Sequence, residues 1–124
     1  MKKGRIILLT VICLLVLTSV AYAASYNVTV PILGSSYTSS LTKQVTGSAA
    51  TLHSTNVGAD YKFQCRQYDL AGHAGDLVTG IDDGWDGYID GSSEHTAGES
   101  VRLRFAVDGG ALVSVNGYGT WYSN

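Results

Sequence analysis

The stretch Val101-Arg102-Leu103-Arg104-Phe105-Ala106-Val107-Asp108-Gly109-Gly110-Ala111-Leu112-Val113-Ser114-Val115 decides the fold class. Val101, Leu103, Phe105 and Val107 alternate with Arg102, Arg104 and Ala106, the period of a strand with one face against a core and the other in water. Asp108-Gly109-Gly110 supplies residues able to take positive φ, so a hairpin turn is predicted there. Ala111, Val113 and Val115 are then expected to return along the partner strand.

The same period appears upstream. Tyr26, Val28, Val30 and Ile32 alternate with Ser25, Asn27, Thr29 and Pro31. Pro31 has no N–H to give to a ladder, which places this strand at a sheet edge. Gly34 to Ser39 reads as a polar loop. Residues 40–46 and 48–55 read as Thr- and Ser-rich strands hinged near Gly47, the second with Ala50, Leu52 and Ser54 on one face. Residues 56–60 (Asn-Val-Gly-Ala-Asp) form a turn, after which Tyr61, Phe63 and Cys65 point inward and Lys62, Gln64 and Arg66 outward. Residues 69–98 are rich in Gly, Asp, Ser and His and read as a long loop or two short strands joined by turns. No stretch holds a helical period for more than a turn or two. The expectation is an all-β domain, a small antiparallel β-sandwich of six or seven strands or an open barrel.

At the other end, Lys2, Lys3 and Arg5 precede an apolar run from Ile6 to Leu17, and Ala21-Tyr22-Ala23 closes it with small residues around a larger one. This is the pattern of a cleavable signal peptide over residues 1–23, bacterial in style, which predicts a secreted, extracellular product. The run is too short for a membrane span, so none is expected after processing. A single β domain over residues 24–124 remains. It keeps five basic residues (Lys43, Lys62, Arg66, Arg102, Arg104) against ten acidic ones. That balance argues against nucleic acid, whose phosphates call for a basic face. Cys13 leaves with the leader, and Cys65 alone cannot form an internal disulfide. Its alternation with Phe63 points the thiol into the core, and the alternative for an unpaired secreted cysteine is a disulfide between chains.

Two constellations carry candidate chemistry. Asp82, Asp86 and Asp90 sit in the glycine-rich segment 81–91, and calcium takes carboxylate and carbonyl oxygens from such loops. An EF-hand register fails, because Gly84 falls at the third ligand position and Ser93 where a bidentate Glu belongs. Calcium is thus the one cofactor these residues suggest, and the alternative is a set of Asp-Gly turns. Trp85, Tyr88, Tyr118, Trp121 and Tyr122 form the second. Aromatic faces stack on sugar rings while neighbouring polar groups bond the hydroxyls, so Trp85, Tyr88, Trp121 and Tyr122 are the candidate ligand-binding residues. Trp121 and Tyr122 have a competing role in closing one end of the core.

His53, His73 and His95 lack the short spacing of a zinc site, although a fold that gathered His73 and His95 beside Glu94 or Asp76 would change that. No nucleophile elbow or Cys–His signature is present, so no catalytic residues and no enzymatic activity are expected. The sequence therefore points to a small secreted binding or interaction protein. Its expected partner is a cell-surface glycan or a protein, met through residues 69–98 and the C-terminal aromatics. The alternative is a bacteriocin-like toxin acting on a neighbouring cell's envelope.

Overall fold

The computed structural model describes residues 23–124, so the signal segment read over residues 1–23 lies almost wholly outside the described residues. The described chain is built from nine strands: β1 (Ala24–Val30), β2 (Ser35–Tyr37), β3 (Leu41–Thr42), β4 (Ala50–Val57), β5 (Phe63–Asp69), β6 (Val78–Ile81), β7 (Asp86–Ile89), β8 (Ser100–Val107) and β9 (Val115–Tyr122). They form two antiparallel sheets. Sheet A has the order β1-β9-β4-β7, and sheet B the order β2-β8-β5-β6 with β3 also paired to β8. No helix occurs among the described residues.

The alternation read from sequence sets which side chains meet between the sheets. Val28, Leu52, Phe63, Ile81, Ile89, Val101, Leu103, Phe105 and Trp121 all lie in one buried cluster. Tyr26 of β1 stacks on Phe105 of β8 across the gap, with ring centroids 5.0 Å apart, and Phe63 tilts against the same Phe105 ring at 5.5 Å. Such offset pairs add to what their buried area already contributes. Cys65 is a free thiol in this core, and burial raises its pKa well above the ordinary thiol value.

Several expectations hold in detail. β1, which ends just before Pro31, is an edge strand of sheet A. Ala50, Leu52 and Ser54 are the buried face of β4. Others are corrected. The polar loop read over residues 34–39 contains β2, and the strand read over residues 40–46 shrinks to the two residues of β3. Nine strands replace six or seven: β2 is added, and the segment 69–98 takes the second of its two readings, folding into β6 and β7 with turns between them. The main correction concerns the hairpin. Asp108-Gly109-Gly110 does turn the chain, with Gly110 N–H donating to Val107 O at 3.1 Å. However, both edges of β8 are already occupied by β2 and β5, so the chain crosses to the other sheet and pairs as β9 between β1 and β4. The crossing leaves Leu112 and Val113 exposed at 88% and 52% rather than in a ladder.

Beneath one end of the sandwich lies Lys43, whose side chain is almost wholly buried. Its ammonium donates to Gln67 Oε1 at 2.8 Å, to Ser123 O at 2.7 Å and to Ser48 O. Gln67 Nε2 in turn donates to Ile89 O at 3.3 Å. A single cation therefore ties the loop after β3, the middle of β5 and the C-terminal residues. Burial lowers its pKa to about 8.

Candidate functional site

Sheet A has one face in the core and one in water. Its register puts three rows of side chains on the outer face. Asn27, Tyr118 and Asn56 align across β1, β9 and β4; Ser25, Thr120, His53 and Asp86 align across all four strands; Tyr122, Thr51 and Tyr88 align across β9, β4 and β7. Tyr88 and Tyr118 are exposed and Tyr122 half-buried. No Lys, Arg or Glu occupies any of these positions. The only acid, Asp86, is held by His53, with Nδ1 to Oδ1 at 2.6 Å. His53 also meets the Tyr122 ring edge-on.

Amide and hydroxyl groups flank the rings. Asn116 Nδ2 donates to Asn27 Oδ1 at 2.9 Å and to Thr29 Oγ1 at 3.2 Å, and Asn124 Nδ2 donates to Thr51 Oγ1 at 2.6 Å. With strands about 4.8 Å apart and about 3.4 Å per residue, Tyr88 and Tyr122 stand roughly 10 Å apart, and Tyr118 stands some 14 Å along the strand from Tyr122. The result is a flat, polar, aromatic platform on regular strands, which hold side chains more rigidly than loops do.

The four aromatic candidates separate cleanly. Tyr88 and Tyr122 share this platform. Trp121, at 1% exposure, is in the core, paired opposite Leu52 and Ala24. The expectation that it meets a ligand is thereby corrected: period-two alternation sends Tyr122 out and its neighbour in. Trp85 is half-buried and packs against the core, its ring folded over Gly87 so closely that a Cβ there would fall 2.6 Å from it. It covers the β7 edge instead of standing free in a loop. Tyr118 and the His53–Asp86 pair are the platform members that only the sheet register brings together.

The three carboxylates read as calcium ligands do not converge. Asp86 and Asp90 lie at opposite ends of β7, more than 10 Å apart at strand rise, whereas a calcium ion needs its oxygens at about 2.3–2.6 Å. Asp86 is engaged by His53, and Asp82 Oδ1 accepts from the Asp83 N–H at 2.8 Å as part of a turn. Among the described residues no three His, Cys, Asp or Glu side chains are grouped to hold a metal.

The histidines do meet acids, though not as a metal site. His73 Nδ1 lies 2.7 Å from the buried Asp69 carboxylate and its Nε2 lies 2.6 Å from Glu94. His95, fully buried, bonds through Nε2 to the His73 carbonyl at 2.8 Å. This clasp joins the β5–β6 turn to the loop before β8. The Asp69 hydrogen bond raises the His73 pKa against an opposing desolvation, with the charges of Asp69, Glu94 and Glu99 adding to the rise. For Asp69, burial pushes the carboxyl up, but the His73 side-chain and backbone hydrogen bonds outweigh it and leave the pKa lowered.

The clasp is thus fully formed only where Asp69 is ionised and His73 protonated. Its contribution fades as pH falls through the lowered Asp69 pKa, and again as pH rises through the raised His73 pKa. An NMR titration is expected to find His73 titrating above an ordinary histidine. His73→Gln should lower the melting temperature at pH 5.5 and much less at pH 9; an equal loss at both would refute the ionic clasp.

Comparison with protein-family models and with curated proteins yields no match to this chain.

Proposed function

We propose that the protein is a non-enzymatic, secreted binding module whose outer sheet A face holds a neutral glycan of a cell surface. The observation that carries this reading is the alignment of Tyr88, Tyr118 and Tyr122 among Asn, Thr and Ser side chains on one sheet face that has no Lys, Arg or Glu and a single acid, Asp86, bonded to His53. Sugars present apolar ring faces and hydroxyl edges together. Exposed rings spaced along a rigid sheet and separated by short donors and acceptors complement both. The signal-peptide pattern of residues 1–23 supports a secreted product, and its bacterial style supports a bacterial source. A non-catalytic role is favoured because the acids on this face are limited to Asp86, already bonded to His53.

The test is retention on the neutral insoluble glycans chitin, cellulose and β-1,3-glucan. The unmodified protein is expected to be retained on at least one of them. Tyr88→Ala with Tyr122→Ala should weaken retention at least about tenfold, by removing stacking of about 1 kcal/mol or more per ring. The melting temperature should change little, since Tyr88 is exposed and Tyr122, half-buried against His53, lies on the outer face away from the core. Unaltered retention by the double variant, or no retention of the parent on any of the three, would refute the reading.

A second reading, the bacteriocin-like toxin, is favoured by a different feature. Ile32, Leu33, Leu112 and Val113 are exposed on two loops that approach each other, Leu33 lying next to Gly110. Uncharged aliphatic loop tips are what an envelope-active protein presents to a lipid interface. Inhibition of related strains by purified protein on a plate, lost in Leu33→Ser with Leu112→Ser, would support it over glycan binding.

A further inference from the structure

The outer face of sheet B is the chemical opposite of the sheet A platform. The chain is acidic, yet Arg66, Arg102 and Arg104 all project from this one face, three of the five basic residues beyond the signal segment. Arg66 and Arg104 are direct cross-strand partners on β5 and β8. Like charges so placed, with Cβ atoms about 5 Å apart, destabilise a sheet.

Among the described residues every ion pair involves a histidine, and none of the three arginines reaches a carboxylate. Two of the guanidiniums are held instead by neutral groups that position them and leave their charge available. Arg104 Nε donates to Ser35 Oγ at 2.9 Å and Nη1 to the Tyr68 hydroxyl at 3.2 Å. Arg102 lies over the Tyr37 ring at 3.8 Å from its centroid, with its Nε shielded from solvent and unpartnered.

Between Arg66 and Arg104 is a cleft of about 90 Å³ walled by Gln64, Leu77 and Ala106. That is the space of roughly three waters. It takes a carboxylate or phosphate group and leaves outside the ring that carries it. Arg102, two residues along β8 from Arg104 and about 7 Å away, supplies a second cationic position.

We infer that this arginine face is a binding site for an acidic polysaccharide carrying a carboxylate or a phosphate on its repeating units, one anion entering the Arg66–Arg104 cleft and the next meeting Arg102. Guanidinium forks match both anions in geometry, and stacking on tyrosine pre-orders them. The sparse spacing of the two positions suits a polymer with one charge per sugar. Duplex DNA, with a charge every 1.7 Å or so, would meet the ten acidic residues of the chain as well as these three arginines. The site is separate from the tyrosine platform and does not depend on it.

The test is affinity electrophoresis of protein expressed from the full chain, in gels containing polygalacturonate, phosphomannan, dextran, polyglutamate or duplex DNA. Retardation is expected in one or both of the first two, which tells carboxylate from phosphate, and it should vanish as salt is raised to about 0.5 M. Arg66→Gln with Arg104→Gln should reduce it at least about tenfold while the melting temperature stays level or rises, because a like-charge pair is relieved. Tyr88→Ala with Tyr122→Ala should leave it intact. Lack of retardation in both anionic glycans, an undiminished effect in the arginine variant, or stronger retardation by DNA or polyglutamate would overturn the inference.

Discussion

Replacing Lys43 by Met is expected to cost about 3 kcal/mol of stability at pH 7 and to remove a climb in melting temperature that is expected of the parent protein between pH 8 and pH 9. Two terms oppose each other. Burial lowers the ammonium pKa from 10.5 to about 8, so keeping the charge inside at pH 7 is itself a penalty of roughly 3 kcal/mol, which the methionine relieves. Against that, the substitution strands Gln67 Oε1, Ser123 O and Ser48 O without their donor. Each buried orphan costs about 1–3 kcal/mol, and three together outweigh the relief.

The pH arm follows from the sign of the shift. Between pH 8 and 10.5 the unfolded chain holds a proton on Lys43 that the folded chain has released, so stability rises with pH. Above pH 9 the unfolded Cys65 thiol ionises while its buried counterpart does not, which offsets the rise. Above pH 10 Tyr26, pushed up to about 12 by desolvation, adds to the decline. Melting curves from pH 7 to 11 should therefore climb, level and fall, with the first limb missing in Lys43→Met. A flat profile in the parent would contradict the buried ammonium.

Gly119→Ala is expected to be comparably damaging, about 3 kcal/mol or more, and Gly117→Ala nearly so. Both glycines face inward from β9. A methyl at 119 would overlap the His53 carbonyl and come within 2.9 Å of the Tyr26 hydroxyl, and one at 117 would enter the Phe63 ring. Neither obstacle is a flexible chain end. Backbone ladders to β1 and β4 would have to part on both sides of the strand. The check is chemical denaturation of the single variants beside Asn116→Ala, an outward position on the same strand, where a change below about 1 kcal/mol is expected. Equal effects at 116 and 119 would mean that β9 does not lie at the centre of sheet A as described.

These glycines also explain what the sequence concealed. In β8 the inward positions carry Val, Leu and Phe and in β1 Tyr and Val, so alternation is plain and the buried faces follow from it, whereas β4 and β5 mix Leu52 and Phe63 with inward Ser54, Gln67 and Asp69. In β9 the inward residues at 117 and 119 are glycines, their volume taken by Phe63 and Tyr26 from elsewhere in the chain. A strand whose core face is filled by other strands has no hydrophobic period to read. The chain after Val115 thus looked like a tail of aromatics, and the turn at Asp108-Gly109-Gly110 looked like a hairpin. Turn chemistry specifies a reversal but not which sheet receives the next strand.

The same gap affected the candidate site. Tyr88 and Tyr122 were recognisable as polar-flanked aromatics. Their shared face, with Tyr118 and the His53–Asp86 pair, depends on the β9–β4–β7 register, which no local pattern encodes. Trp121 illustrates the cost of lacking that register, since a one-residue difference in phase decides between core and surface. Lys43 was silent for another reason: nothing in Thr42-Lys43-Gln44 distinguishes a buried lysine from a solvated one.

The most direct test of the sheet A platform is amide and ring-proton shift mapping with soluble chitin and cellulose fragments, both neutral, added to labelled protein. Shifts concentrated at Thr51, His53, Tyr88, Tyr118 and Tyr122 are predicted for at least one fragment, with the outer face of sheet B unmoved. Shifts confined to the 31–34 and 109–113 loops, or spread over the inward residues, would contradict glycan binding on that face.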